Sequence, residues 1–104
     1  ITLIVKGDKN KKTIRIFEGF TDYMSFKNLE KNSSDYLILN SIAMINRCDE
    51  ILSNYDEIET YFDQDEAGSL YTKTTLEKFK YAKDCRGFYK DFKDLNEWLV
   101  NTIL

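Results

Sequence analysis

Ile58-Glu59-Thr60-Tyr61-Phe62-Asp63-Gln64-Asp65-Glu66-Ala67-Gly68 is the stretch that decides the fold. Its first five residues are rich in β-branched and aromatic side chains and read as a buried strand. Two carboxylates begin where that strand stops, and Ala67-Gly68 is small enough to let a helix start close to the sheet. The pattern occurs a second time upstream. Ile14-Arg15-Ile16-Phe17 is another buried-strand run, followed by Glu18-Gly19-Phe20-Thr21-Asp22, where Gly19 permits a tight strand-to-helix turn and Asp22 falls in the first helical turn. Open parallel sheets bind ligands at the carboxyl ends of their strands. Clustered carboxylate oxygens there are the donors that a hard cation such as Mg2+ requires.

Working outward, Thr2-Leu3-Ile4-Val5 predicts a first strand, and the polar turn over 7–12 predicts a hairpin into the strand that ends at Glu18. Thr21 is the expected N-cap of a helix running to about Lys31, with Tyr23, Phe26 and Leu29 on one face. Tyr36 to Leu39 is the next strand, and a helix is expected after Asn40-Ser41, reaching about Tyr55. A helix from Glu66 to about Ala82 follows the Ile58 strand, although its apolar stripe slips phase between Leu70-Tyr71 and Leu76-Phe79. A short strand within 84–88 and a last helix starting at Asp94 complete the chain. From Ile14 onward this alternation predicts an α/β fold, with a mostly parallel four-stranded sheet, helices on both faces, and an N-terminal strand or hairpin added.

A length of 104 residues suits one domain with one core. Because the chain starts at Ile1 with a strand almost at once, we expect a segment of a longer protein. No apolar run approaches the roughly 20 residues of a membrane span, and nothing resembles a signal peptide. There is no histidine, and Cys48 and Cys85 stand alone, so no zinc-ligand set is present. A net charge of −3 argues against binding nucleic acid by charge alone. Metal ions or a basic neighbouring domain would have to do it.

Plain alternatives exist for each acid. Alternation puts Asp63 and Asp65 on the same side, where they repel unless a cation or arginine holds them, yet a chain with 18 acidic residues contains an Asp-x-Asp by chance as a solvated turn. Asp22 favours the helix dipole whatever its function, and Asp94 is a reasonable N-cap. For Glu18 the plain account is weaker, because a carboxylate ending a buried strand needs a partner. Lys93 could meet a phosphate, while a solvated lysine is its ordinary role, as it is for Lys9, Lys11, Lys12, Lys73, Lys78, Lys80 and Lys83.

In order and spacing, Glu18-Gly19-x-x-Asp22, Leu39-Asn40-Ser41-Ile42, the Phe62 to Gly68 string and Lys93-Asp94-Leu95-Asn96-Glu97-Trp98-Leu99 resemble a Toprim domain over about Ile14 to Leu99. The likeness is greatest to bacterial DNA primases and to primase-like proteins of plasmids, phages and mobile elements. It implies a Rossmann-like Toprim fold, with residues 1–104 as a single domain. It also implies that Glu18 is the family glutamate, a general acid/base in topoisomerases and a metal-site acid in primases, and that Asp63 and Asp65 are the Mg2+-holding pair. Asp22 and Asp94 match further acids of the metal site. Catalysis would then rest on Glu18, Asp63 and Asp65, with Mg2+ or Mn2+ as cofactor. The implied function is nucleotidyl or phosphoryl transfer on nucleic acid in replication or mobile-element transfer. Its partners would be DNA or RNA, nucleotides and other domains of the same cytoplasmic protein. Toprim nucleases, topoisomerase-type strand cleavage and non-catalytic recombination modules are the alternatives. Receiver domains and haloacid-dehalogenase-like phosphatases rank last, because the phosphatase Asp-x-Asp follows the first strand of its core and this one follows the third counted from Ile14.

Overall fold

The computed structural model describes residues 3–7, 12–29 and 34–102. Strands β1 (Leu3–Val5), β2 (Thr13–Phe17), β3 (Asp35–Ile38), β4 (Glu57–Tyr61) and β5 (Ala82–Asp84) form one five-stranded sheet in the order β1-β3-β2-β4-β5. Helices α1 (Phe20–Leu29), α2 (Asp49–Leu52), α3 (Glu66–Lys78) and α4 (Leu95–Thr102) connect them, with 3-10 turns at Ile42–Arg47 and Arg86–Tyr89. The pairs β2–β3, β2–β4 and β4–β5 are parallel, and β1 runs antiparallel to β3. The expected α/β fold with a mostly parallel sheet is therefore present.

Strand alternation sorts the core into two faces. Ile14, Ile16, Leu37, Leu39, Ile58 and Phe62 pack on one side, where the 42–47 turn, α2 and α3 lie. Phe17, Tyr36, Ile38 and Tyr61 pack on the other with Tyr23 and Phe26 of α1 and Leu95 of α4. This second face is aromatic. Phe17 stacks on Tyr61 with centroids 5.0 Å apart and meets Phe26 at 5.5 Å, and losing a buried ring of this kind costs about 3–5 kcal/mol. The same face holds an ion pair, Arg15 Nε to Glu59 Oε1 at 2.9 Å, across neighbouring positions of β2 and β4.

The sheet's connections make a crevice. The helix that follows β2 covers one face and the helix that follows the adjacent, parallel β4 covers the other, which makes the carboxyl ends of these two strands a topological switch point. Glu18 and Asp63 lie at this point.

Several local expectations change. The hairpin between β1 and β2 does not form, because β2 is flanked on both edges by parallel partners and β1 takes the remaining edge of β3. Most of the predicted turn, and the predicted end of the first helix at Lys31, lie outside the described residues. Helix α1 starts at Phe20, so Thr21 is inside it and is not its N-cap. The helix expected to reach Tyr55 divides into a 3-10 turn and the four-residue α2. Helix α3 stops at Lys78 because Phe79 is extended, and its buried positions are Gly68, Thr72 and Thr75 while Leu70 and Leu76 are exposed. Its inward stripe is small and polar, which accounts for the slipped apolar phase. The short fifth strand starts at Ala82 and meets the expected 84–88 window only at Asp84, most of the rest being a 3-10 turn. Among the described residues, no helix is long and apolar enough to cross a membrane.

Candidate metal centre

Backbone hydrogen bonds past the strand ends hold the rim. The N–H groups of Leu39 and Asn40 donate to the carbonyls of Phe17 and Glu18 at 2.9 and 2.6 Å, so the β2–β3 pairing continues to Glu18. Asn40 takes a left-handed φ of 61° there, a conformation asparagine adopts more readily than most residues. Gly19 has neither a left-handed φ nor a crowded Cβ position. The strand-to-helix turn is tight, with only Glu18 and Gly19 between β2 and α1, but its backbone does not require a glycine at 19, which lines the open cleft.

Asp22, in the first turn of α1, is 6% exposed and accepts the backbone N–H of Asn96 at 3.0 Å. Ser25 donates to the Asn96 side chain at 2.8 Å, so α1 and the start of α4 are joined twice. Asp94 caps α4 by accepting the Glu97 N–H at 2.8 Å. One carboxylate oxygen from each of Asp22, Asp63 and Asp94 lies within 4.8 Å of the others. Opposite ligands of an octahedral Mg2+ are about 4.2 Å apart. Three ligands include at most one such opposite pair and adjacent ligands stand about 3 Å apart, so the carboxylates would draw together to share one ion.

Glu18 lies beside this triad, and its Oε2 accepts the Asp63 N–H at 2.6 Å. The carboxylates line a cleft of about 350 Å³ that also takes in Gly19, Thr21 and Asn96. Asp65 is placed differently. With φ −119° and ψ −179° it is the N-cap of α3 and accepts the Gly68 N–H at 2.7 Å.

The electrostatics are those of carboxylates held together without an ion-pair partner among the described residues. Burial, followed by repulsion from Glu18, Asp22, Asp94 and Asp65, pushes Asp63 up to about 7. Burial, with repulsion from Asp94 and Glu18, pushes Asp22 up to about 6 against the Asn96 hydrogen bond and the more distant Lys93. Burial also raises Glu18, opposed by the Asp63 N–H. Among the described residues, the ion pairs are Lys6–Asp35, Arg15–Glu59, Lys78–Asp49 and Arg86–Asp84, none of which reaches the cluster. An all-oxygen donor set that includes Asp22 and Asp63 with raised proton affinity, and that has no salt-bridge partner among the described residues, fits a hard divalent cation.

The family model described as Toprim-like matches residues 15–99. The chain belongs to the Toprim-like family. The primase fragment of the bacteriophage T7 primase-helicase protein shares the fold at a TM-score of 0.66 and 20% identity, covering 90% of this chain and 41% of that one. The Toprim-like chain thus spans less than half of that fragment. No curated protein matches it in sequence.

Of the acids singled out in the Toprim-like sequence, the fold brings Asp22, Asp63 and Asp94 into one triad, sets Glu18 against it, and turns Asp65 to a helix cap. Lys93 is exposed, and its carbonyl accepts the Gln64 N–H at 2.7 Å. Asn96 and Ser25 are structural members of the site that sequence reasoning missed. Asn96 sits two residues after Asp94, and nothing in its local pattern signals that its N–H reaches Asp22 across 74 residues.

Proposed function

We propose that this domain binds one or two Mg2+ ions, or Mn2+, through Asp22, Asp63 and Asp94 with Glu18 and Asp65 flanking, and that the centre serves nucleotidyl transfer in a cytoplasmic primase-like protein. The observation that carries the reading is the triad: three carboxylates, from α1, from just past β4 and from just before α4, meet at the switch point with no ion-pair partner among the described residues. Like charges converge there at a cost in stability unless a cation joins them. The T7 primase fragment's fold supports the choice of primer synthesis among Toprim activities.

When bound, Mg2+ would supply the positive charge that neutralises phosphate oxygens in an in-line displacement. The chain's residues supply geometry. Asp22 and Asp94 are fixed by hydrogen bonds to the α4 backbone, and Glu18 is fixed to the Asp63 N–H. Glu18 has a raised pKa beside the cleft, so it is the residue we assign to proton transfer. Lys93, exposed in the residue before Asp94, is the one we assign to an incoming phosphate, and Asp65 holds the start of α3. DNA or RNA, nucleotides and other domains of the full-length protein are the partners this reading requires.

The test is nucleotide incorporation on a single-stranded template by the full-length protein, with Asp22→Asn, Asp63→Asn and Asp94→Asn beside the wild type. The reading expects Mg2+-dependent primer synthesis that each variant lowers by at least about 100-fold, as loss of a major electrostatic contact does. Metal-dependent strand cleavage without synthesis would favour a nuclease, and unchanged activity in all three variants would leave the acids structural.

A further inference from the structure

We infer that Gln64, the residue between the two aspartates, is a positioning residue that carries Asp94 to the metal centre; the inference rests on the metal-binding reading above. Once past Asp63 the chain has left the sheet, and Gln64 is where it meets the segment returning between β5 and α4. The Gln64 backbone N–H donates to the carbonyl of Lys93, the residue before Asp94, at 2.7 Å. Its side-chain amide donates to the carbonyls of Arg86 and Tyr89 at 2.8 and 3.3 Å. Tyr89, itself 1% exposed, closes the same junction by donating its hydroxyl to the Phe62 carbonyl at 2.7 Å.

The sheet gives this segment little other guidance. Strand β5 has three residues and its last register partner to β4 is Asp84, so the ladder ends well before Asp94. The position of Asp94 relative to Asp63 is therefore set by what holds residues 86–93 to the end of β4, together with the Asp22 and Ser25 bonds to Asn96 and the burial of Leu95. Gln64 provides most of the first set. An amide suits this place, because its NH2 group carries two donors and two carbonyl oxygens face it. Methionine would keep much of the shape and the backbone bond to Lys93 while removing both side-chain bonds. A metal site tolerates displacement of about 0.5 Å or less in its ligands, so loosening this junction should be read directly in affinity.

The experiment is Mn2+ affinity, measured by electron paramagnetic resonance, for the wild type, Gln64→Met, Asp94→Asn and the double variant. Loss of a residue that orients a ligand weakens metal binding by about tenfold or more, and about tenfold is expected for Gln64→Met. The double variant should bind no more weakly than Asp94→Asn alone, because Gln64 acts through Asp94. Wild-type affinity in Gln64→Met, or full additivity in the double variant, overturns the inference. A purely structural role would give that additivity. Hydrogen exchange in the metal-free protein separates this inference from the metal reading. Amides of residues 86–94 should exchange faster in Gln64→Met while those of β2 and β4 are unchanged, and equal exchange overturns the strut. If the wild type binds no Mn2+, the metal reading fails and the exchange result alone decides whether Gln64 holds this segment.

Discussion

The Glu18 carboxylate accepts the backbone N–H of Asp63 at 2.6 Å, tying the end of β2 to the end of β4 by a side chain where the ladder between them has stopped. This bond fixes the approach of two groups that repel each other when both are charged. Glu18→Gln keeps an acceptor at the same reach and should leave stability within about 0.5 kcal/mol, whereas Glu18→Ala leaves a strand-end N–H without its partner and should cost about 1–3 kcal/mol. Urea denaturation of the two variants measures the difference.

The raised proton affinities give a pH dependence of definite sign. Asp22 and Asp63 stand at about 6 and about 7 in the folded protein against an ordinary 3.8, so from roughly pH 4 to 7 the folded state binds more protons than the unfolded one. Metal-free stability should therefore be greatest at the acid end, fall as pH rises through that window, and level off above it. Metal affinity should climb over the same interval, because the ion displaces those protons. Thermal melts between pH 4.5 and 8.5, with and without Mg2+, should converge at low pH and separate at high pH.

Asp63→Asn removes the most crowded of these charges. At pH 8 without metal it should raise stability by about 1 kcal/mol, the usual gain when a strained functional group is neutralised. It should also abolish the stabilisation that Mg2+ gives the wild type. Denaturation curves with and without Mg2+ read both effects.

Gly68 is required by contact. A Cβ at this position would sit 2.0 Å from the Asp63 carbonyl oxygen. Alanine is the better helix former by about 1 kcal/mol, yet the clash falls on backbone that cannot move aside without shifting Asp63. Gly68→Ala should destabilise by about 2 kcal/mol and weaken Mn2+ binding together, readable by denaturation and by metal titration. Gly19→Ala, where a Cβ meets nothing within 4 Å, should leave stability within about 0.5 kcal/mol of wild type.

These contrasts show which parts of the structure the sequence could reveal. Strand runs such as Ile14 to Phe17 and Ile58 to Tyr61 are written locally as apolar and β-branched residues, so the order of elements and the strand-end location of Glu18 and Asp63 were legible. Partner choice is not local. That β1 pairs with β3 and not β2 depends on which sheet edge remains after two crossovers. For the acids, alternation gave Asp63 and Asp65 a common side, but alternation ends with the strand at Tyr61, and Asp65 turns to cap α3. Assembly of Asp22 with Asp94 was expected from the resemblance to a family. What holds them, the Asn96 N–H and the Gln64 junction, involves backbone groups that no side-chain pattern announces.

The Arg15–Glu59 pair serves as a control remote in chemistry from the centre. Its side chains are 11% and 17% exposed, Tyr61 donates to Glu59 at 2.8 Å, and the guanidinium lies over the Phe26 ring. Losing a charge-assisted hydrogen bond of this kind costs about 1.5–3 kcal/mol. Glu59→Ala should lower the melting temperature while leaving Mn2+ affinity within about twofold of wild type once the protein is folded, since distant independent sites do not couple.

The most direct measurement of the central claim is a Mg2+ titration of the protein followed through the side-chain carboxyl 13C resonances of Glu18, Asp22, Asp63 and Asp94. The account predicts that Asp22, Asp63 and Asp94 shift together along one saturable curve in the millimolar range or below, and that Asp63→Asn removes the response of the other two. Carboxyl resonances that stay in place through millimolar Mg2+ and Mn2+ would contradict it.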